Sequence, residues 1–256
     1  MAGIVFEKKG KTAYVILNRP EQRNAIDLGM RQGLYDAWEE IEKDSDIWSI
    51  ILTGGEKDFS TGQDLTELTE FRKREPTADL PLNNLETFGM NVKKPVIAAI
   101  SGYCLGAGFL LTLVASDIRV ASDTAIFGMP EIKVGVPLGF GIPPLFARHF
   151  SPAINIELIM LGHNISAQDA YRSGYVNKVV SPRDLIAQAE KYADEVNTLS
   201  PFLVKKIKEI SRYIAAPDPK EIALSNAICM LCRHSEDYVE GPRAFKEKRK
   251  PEWKGR

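Results

Sequence analysis

The loop "GYCLGAG", residues 102–108, contains three glycines between an apolar segment that precedes it and another that follows it. Glycine lets a backbone approach a ligand closely, and the first N–H groups of a following helix have no acceptor within that helix. Because the helix dipole also favours negative charge there, such a loop can stabilise an oxyanion. A tight turn packed against a neighbouring strand accounts for the same glycines, so this motif alone leaves both interpretations open.

Two other kinds of site are less compatible with the sequence. The dinucleotide-binding pattern G-x-G-x-x-G fails here, because Leu111 stands where the third glycine is required. Cys229 and Cys232 form a C-x-x-C motif with His234 close by, but a zinc site needs a fourth ligand. Helical spacing puts both thiols on one side of a helix, and we interpret them as buried helix cysteines. We therefore predict no metal site.

Apolar periodicity and turn residues predict the elements that must hold these positions. Alternating residues indicate a hairpin that turns near Gly10, and Asp27 is expected to cap a helix. Residues 66–92 are polar and contain prolines, for which we expect a mobile loop followed by a helix. Strands alternate with helices in the N-terminal part, and long helices form the C-terminal part. The pattern predicts an α/β fold, with residues 1–199 as the core and residues 200–256 as a helical region.

The longest uncharged segment, residues 95–116, is long enough to cross a membrane. Its first part, residues 96–100, is rich in β-branched residues, and the three glycines that follow would each weaken a helix. No second segment could join it in a helical bundle. We therefore predict a buried strand, a glycine loop and a buried helix, with no association with a membrane.

Composition is that of an ordinary globular protein. The 33 Lys and Arg against 34 Asp and Glu give a net charge of −1, which offers no argument for nucleic acid as a partner. Three cysteines in 256 residues do not suggest a disulfide framework. The charged run "EKKGK" interrupts the first apolar residues, unlike a secretion signal. We expect a reducing, cytoplasmic location.

Six segments occur in an order that is typical of one protein family. Together they closely resemble the crotonase superfamily, the enoyl-CoA hydratase/isomerase family, over nearly the whole chain. The resemblance implies a crotonase-like spiral of repeated ββα units, followed by C-terminal helices that mediate trimerisation. The segments are "VILNRPEQRNAI" (15–26), "ILTGGEKDFSTGQDL" (51–65), "KPVIAAISGYCLGAG" (94–108), "DIRVASDTAIFGMPEIKVG" (117–135), "ISAQDAYRSGYVNKVV" (165–180) and "AFKEKRKPEW" (244–253).

The resemblance also implies a substrate and an assembly. Members of the family bind acyl-CoA thioesters, polarise the thioester carbonyl with two backbone N–H groups and pass through an enolate. Matching "FSTGQDL" and "GYCLGAG" to the family pattern implies Gln63 and Ala107 as the two donors. CoA is then part of the substrate, and no separate cofactor is implied. A homotrimer or a dimer of trimers is expected.

The position of one missing glutamate bears on the reaction. Hydratases of this family use two glutamates around a water; here the second is present as Glu131, and Leu110 occupies the position of the first. Leucine cannot transfer a proton, so Glu131 would be the single acid/base. The resemblance therefore favours double-bond isomerisation or single-glutamate hydration over two-glutamate hydration. A hydratase-lyase or hydrolase of the same fold, or a non-catalytic CoA-ester-binding member, are the alternatives.

Further positions are carried over from the family to the CoA and acyl parts of the substrate. The basic tail, residues 241–256, has seven basic and two acidic residues, which suits the phosphates of CoA, although a solvated basic tail has the same composition. Thr66 stands where some relatives have a lysine aimed at those phosphates, which leaves that contact open. The expected substrate-binding residues are Gln22, Arg23, Ala25, Asp64, Leu65, Leu110, Gly139, Phe245 and Lys248.

Overall fold

The structure is a computed structural model that describes residues 3–75, 78, 80–139 and 141–256. The chain is divided between two compact units, and each unit is made of three separate stretches. The first unit comprises Met1–Gln63, Leu82–Phe127 and Ile165–Ala215, and the second comprises Asp64–Pro81, Gly128–Asn164 and Ala216–Arg256.

A six-stranded sheet forms the framework of the first unit. Its order is β1-β2-β3-β4-β6-β9, and a smaller sheet has the order β5-β7-β8. The predicted hairpin at Gly10 is confirmed, because β1 and β2 pair antiparallel, whereas the remaining neighbours of the large sheet pair parallel. The strands are β1 Ile4–Lys9, β2 Thr12–Leu17, β3 Ser49–Thr53, β4 Val96–Ile100, β5 Tyr103–Leu105, β6 Ile118–Ser122, β7 Ile126–Gly128, β8 Asn164–Ser166 and β9 Lys178–Val180.

The helices among the described residues follow the predicted alternation for most of the chain. They are α1 Leu28–Lys43, α2 Leu65–Arg74, α3 Ala107–Ala115, α4 Ile142–His149, α5 Pro152–Ile159, α6 Ala167–Arg172, α7 Leu185–Val196, α8 Pro201–Ala215, α9 Pro219–Arg233 and α10 Glu236–Lys246. The Asp27 cap of α1 is confirmed, since its carboxylate accepts a hydrogen bond from the Met30 N–H at 2.8 Å. Helix α7 buries Leu185, Ala189 and Ala193 in one core cluster with Ile51 and Ile97 of the large sheet.

The uncharged segment of residues 95–116 folds as predicted into strand β4, a glycine loop and helix α3. Every residue of β4 is buried, and so are Gly108 to Ala115 of α3. Among the described residues, no helix combines the length and the apolar character that a membrane span requires.

The predicted order of loop and helix within residues 66–92 is wrong. Helix α2 comes first, and the described residues after it form turns and irregular structure up to residue 92. Asp64 explains this order, because its carboxylate accepts hydrogen bonds from the N–H groups of Thr66 and Glu67 and so begins the helix at Leu65. Pro76, one of the prolines behind the prediction, lies outside the described residues.

Helix α8 belongs to the first unit, so the units do not divide at the predicted boundary between residues 199 and 200. The buried Lys208 ammonium lies 2.6 Å from the Asp117 carboxylate and donates to the Lys94 carbonyl at 2.6 Å. One turn later, Arg212 donates to the Gly89 and Ala115 carbonyls at 3.0 and 2.6 Å. These charge-assisted bonds hold the helix against the segments that flank β4 and α3.

Candidate active site

Two loops of the first unit bring their main chains into direct contact. Ser60 and Cys104 form an isolated parallel bridge, and the Leu105 N–H donates to the Ser60 carbonyl at 2.9 Å. Gly62 has a φ of 95°, and a Cβ atom built on it would lie 2.8 Å from the Leu105 oxygen and 3.3 Å from the Ala107 nitrogen. Both the conformation and the close approach therefore require glycine at this position.

Ala107 is the first residue of helix α3. Gly106 caps the helix with a φ of 50°, and the helix itself provides no acceptor for the Ala107 N–H. Leu110 follows one turn later, is 5% exposed, and donates its N–H to the Gly106 carbonyl at 2.9 Å. The predicted donor thus lies at the positive end of a helix dipole, on a helix whose first turn is apolar.

Gln63, the other predicted donor, has its side chain bound within the first unit. Its Nε2 donates to the Ile26 carbonyl at 2.9 Å, and its Oε1 accepts from the guanidinium of the buried Arg31 at 3.3 Å. A parallel bridge between Ile26 and Gln63 fixes the main chain as well. The side chain therefore serves the structure, which is compatible with a role carried by the main-chain amide.

Asn24 and Ser60 hold the two loops that carry the predicted donors Gln63 and Ala107, which we call the donor loops. The sequence analysis gave neither Asn24 nor Ser60 a role. The Asn24 Nδ2 donates to the Gly54 and Asp58 carbonyls at 2.8 and 2.9 Å, and the Ser60 Oγ donates to the Asn24 carbonyl at 2.7 Å. Asn24 has a φ of 55°. Asparagine is enriched among the non-glycine residues in this left-handed region, so Asn24 itself is a local signal for a turn in the sequence.

The predicted CoA-binding residues Gln22, Arg23 and Ala25 lie on one loop, which joins the donor loops through the Ile26 N–H and the Gly62 carbonyl at 2.7 Å. The Arg23 guanidinium pairs with Asp58 at 2.8 Å and lies 4.4 Å above the Tyr103 ring. The hydrogen bond to Asp58 raises the pKa of Arg23. The Arg23 guanidinium is therefore a cation that a carboxylate holds in one orientation.

The rear of helix α3 is held by a buried polar network. The Thr112 Oγ1 donates to the Phe109 carbonyl at 2.8 Å and lies 2.7 Å from the Tyr175 hydroxyl. Arg119 donates to the Ser116 carbonyl at 2.9 Å, beyond the end of the helix, and its guanidinium lies 4.5 Å from the Tyr175 ring. Both ends of the helix are thus bonded to the body of the first unit.

Glu131 lies in the second unit, in a 3-10 helical turn over Pro130–Val134. The residue as a whole is only half-buried, but its Oε2 atom is inaccessible and has no hydrogen-bond partner among the described residues. Burial raises the pKa of this carboxyl to about 7. Gly135 ends the turn with a φ of 66°, and the Val136 N–H donates to the Glu131 carbonyl at 2.9 Å. A carboxyl with this pKa can both accept and return a proton near neutral pH.

The other predicted binding residues of the second unit do not all line one pocket. Leu65 and Phe245 line one pocket of about 100 Å³ together with Thr66, Thr69, Glu70 and Lys246. Asp64 begins helix α2, and Lys248 follows α10 with a φ of 53° and does not line that pocket. Gly139 packs against helix α9, where a Cβ atom on it would lie 3.2 Å from the Cys229 sulfur.

The interpretation of two buried cysteines on helix α9 is wrong for one of them. Cys229 is buried, but Cys232 is exposed. Residues three apart on a helix differ in direction by about 60°, which is enough to turn one side chain toward the core and the other toward solvent.

Comparison with known proteins identifies the family. Residues 7–256 match the family model described as Enoyl-CoA hydratase/isomerase. The chain belongs to this family. The short-chain-enoyl-CoA hydratase of Clostridium acetobutylicum is 36% identical over 252 residues, which cover 97% of this chain and 96% of the relative. The carnitinyl-CoA dehydratase of Proteus mirabilis is 37% identical over 258 residues, which cover 97% of each chain.

Solved structures of the enoyl-CoA hydratase/isomerase family share the fold. The crystal structure of a carnitinyl-CoA hydratase from Mycobacterium avium matches with a TM-score of 0.85 at 30% identity, and the match covers 100% of both chains. The predicted crotonase-like α/β fold with a helical C-terminal region is thereby confirmed. The segments that carried the resemblance contain the donor loops of the first unit and the Glu131 turn of the second.

Proposed function

We propose that this protein is an enzyme that acts on the C=C bond of an acyl-CoA thioester. The main-chain amides of Gln63 and Ala107 stabilise an enolate, and Glu131 is the acid/base. The observation that carries the proposal is the contact between the two donor loops at Gly62, where glycine is required and Ala107 begins a helix. The family of the chain supplies the substrate class.

The chemistry depends on stabilising charge on the thioester oxygen. Removing a proton from the carbon next to a thioester becomes easier when two fixed donors stabilise the negative charge that develops on the thioester oxygen. Loss of one such donor typically costs about 3–4 kcal/mol in transition-state free energy. Helix α3 contributes its dipole, and the segment that contains the Ala107 donor has no charged residue of its own between Lys94 and Asp117.

A single carboxyl is compatible with two reactions. Glu131 could take a proton from one carbon and return it to another, which would move the double bond, and the buried Leu110 favours this reaction because it cannot hold a water. Hydration at one carboxyl is the second candidate, favoured by the names of the relatives from Clostridium acetobutylicum and Proteus mirabilis, a hydratase and a dehydratase.

The CoA part of the substrate is assigned to two places. The loop with Gln22, Arg23 and Ala25 suits the pantetheine and adenine end, since Arg23 is held in position by Asp58. The pocket lined by Leu65 and Phe245 also contains Lys246, whose ammonium lies 3.8 Å from the Glu70 carboxylate; the apolar lining suits an adenine ring, and the ammonium suits a phosphate.

A trimer or a dimer of trimers is part of the same proposal. Helix α8 exposes a row of large apolar side chains, and exposed apolar patches of this kind mark association surfaces. The molar mass in solution, measured by light scattering, is expected to be a multiple of three chains; a monomer would contradict this part of the proposal. The exposed side chains are Phe202, Leu203, Ile207, Ile210 and Ile214.

Product analysis in deuterated water tests the proposed reaction. The enzyme is offered crotonyl-CoA, a 3-enoyl-CoA and a cyclic enoyl-CoA, and the products are identified by mass spectrometry and NMR. A hydroxyacyl product identifies a hydratase, and a shifted alkene that contains deuterium identifies an isomerase. Release of free CoA would instead identify a hydrolase. Binding without turnover of any of these esters would contradict the proposed activity and favour a member that only binds CoA esters.

A further inference from the structure

The turn that carries Glu131 is packed against helix α10 without intervening side chains. A Cβ atom built on Gly135 would lie 2.7 Å from the Asp237 carbonyl oxygen and 3.3 Å from the Gly241 Cα. A Cβ atom on Gly241 would in turn collide with the Val134 carbonyl. Two glycines therefore let the end of the turn lie directly on the main chain of α10.

The last residues of the chain return along the same helix. We call residues 249–256 the C-terminal strap. The Asp237 carboxylate accepts hydrogen bonds from the N–H groups of Lys254 and Gly255 at 2.5 and 3.0 Å, and the Glu240 carboxylate accepts from the Glu252 N–H at 2.8 Å. Main-chain amides bound by carboxylates are strong, directional contacts, so the strap has a defined path.

Trp253 connects the strap to the Glu131 turn. Its ring carbon Cζ3 lies 3.3 Å from the position of a Gly135 Cβ atom. The ring also lines a pocket of about 360 Å³ together with Ile132, Val136 and Pro137, which belong to the turn or follow it directly. Helix α10 thus contacts the end of the turn, and the Trp253 ring lies beside the turn. Both contacts are made at Gly135.

Asp237 takes part in both contacts. Its carbonyl oxygen lies against Gly135, and its carboxylate accepts hydrogen bonds from the N–H groups of Lys254 and Gly255, the two residues that follow Trp253. The Glu131 Oε2 atom has no hydrogen-bond partner among the residues that the structure describes, so no side-chain bond fixes that atom in the buried position. Its position therefore depends on how the turn that carries Glu131 is held.

We propose that Trp253 and Asp237 are positioning residues for the acid/base Glu131, and that the C-terminal strap keeps the turn in the conformation in which the carboxyl is buried. The inference rests on the proposed function for its effect on turnover. Its physical reason is that a carboxyl with a buried oxygen that accepts no hydrogen bond is unfavourable, and it would move toward water if the turn became free to do so. Loss of the strap contact would then lower the pKa of Glu131 toward its ordinary value of 4.5.

The experiment compares Trp253→Ala and Asp237→Asn with Trp253→Phe and with Glu252→Ala. Glu252→Ala is the matched control, because Glu252 lies in the same strap and bonds to helix α10 only through its main-chain N–H, which the substitution keeps. Three readouts are taken in the full-length protein: hydrogen exchange of the segment 129–137, the titration of Glu131 followed by carbon-13 NMR, and kcat and KM against pH.

In Trp253→Ala we expect faster exchange at the Val136 amide, a lower pKa of Glu131, and a kcat reduced about 10-fold with KM changed less than about 3-fold. Asp237→Asn should show the same changes to a smaller degree. Trp253→Phe should restore most of the wild-type behaviour, and Glu252→Ala should resemble the wild type. Exchange and titration do not need a substrate, so they test the positioning even if no acyl-CoA ester is turned over. Unchanged exchange and titration in both Trp253→Ala and Asp237→Asn would overturn the proposal, as would altered exchange with an unchanged pKa of Glu131.

Discussion

The donor loops of the first unit and the Glu131 turn of the second are held in different ways. Around the donors, the side chains of Asn24, Ser60 and Gln63 are all bound to main-chain groups, and Gly62 allows the two loops to touch. In the turn, by contrast, the Glu131 Oε2 atom is buried with no partner among the described residues, and glycines and the strap provide the support.

The difference follows from the two kinds of chemistry. A main-chain N–H has one fixed direction, so a donor is useful when many bonds fix the loop that carries it. A carboxyl that must exchange a proton near neutral pH has to keep its pKa high, and any strong hydrogen bond from a donor would lower that pKa. The first region therefore gains from dense bonding, and the second gains from its absence.

The largest expected effect comes from removing the carboxyl itself. Glu131→Gln should lower kcat by about 10³-fold and leave the affinity for a CoA thioester unchanged, because general acid–base catalysis is lost and the donor loops are intact. Kinetics and calorimetry measure the two quantities. Glu157→Gln, at an exposed glutamate of the same unit, should leave both quantities unchanged. Turnover by Glu131→Gln close to that of the wild type would remove Glu131 from the mechanism.

The contact between the donor loops can be tested with two glycines. Gly62→Ala should lower kcat/KM by about 100-fold and destabilise the fold by about 3–4 kcal/mol, because it adds a collision with Leu105 to an unfavourable φ. Gly10→Ala has the same kind of φ, 58°, but no atom within 4 Å, so it should cost about 1–2 kcal/mol of stability and no activity. Chemical denaturation and steady-state kinetics separate these outcomes. Equal losses of activity in both variants would argue against a specific role of the loop contact.

The structural elements that depend on local signals could be predicted from the sequence. The hairpin at Gly10, the Asp27 cap and the strand, loop and helix of residues 95–116 follow from turn residues, capping and alternation. The early helix at Leu65 was not predicted, because that prediction rested on the polar residues and the prolines of residues 66–92. Asp64, which caps the helix, is a local signal in the sequence that the prediction did not use.

Features that depend on contacts between distant residues could not be predicted. No sequence pattern indicates that Asn24 and Ser60 bind each other across 36 residues. None indicates that Trp253 lies beside Gly135 either. The inaccessible Oε2 of Glu131 likewise depends on tertiary packing, although the motif "GMPE" indicated the residue. Candidate residues were therefore predictable from motifs, and their electrostatic state was not.

A smaller effect is expected on stability against pH. The pKa of Glu131 is raised in the folded protein from 4.5 to about 7, so the folded state holds a proton that the unfolded state has lost. This contribution to stability is fully present below about pH 4.5 and is lost as the pH rises through about 7. Relative to Glu131→Gln, the wild type should lose about 2–3 kcal/mol of unfolding free energy between pH 4 and pH 8. Parallel pH dependences of the two proteins in urea unfolding would show that the carboxyl is not desolvated.

The smallest expected effect tests the polar network behind helix α3. The question is whether this network fixes the direction of the Ala107 amide or only stabilises the folded protein. Tyr175→Phe removes the hydroxyl that lies 2.7 Å from the Thr112 Oγ1, which should cost about 1–2 kcal/mol because Thr112 is buried. Tyr171→Phe, at an exposed tyrosine of helix α6, is the same chemical change without that bond and should cost nothing measurable. In Tyr175→Phe the Thr112 hydroxyl keeps its bond to the Phe109 carbonyl, and Arg119 still bonds to the Ser116 carbonyl beyond the helix end. The Ala107 amide should therefore keep its direction, and kcat should change less than about 3-fold. A kcat that falls together with stability would mean that the network behind the helix fixes the donor itself, and that the first region is less redundant than its many bonds indicate.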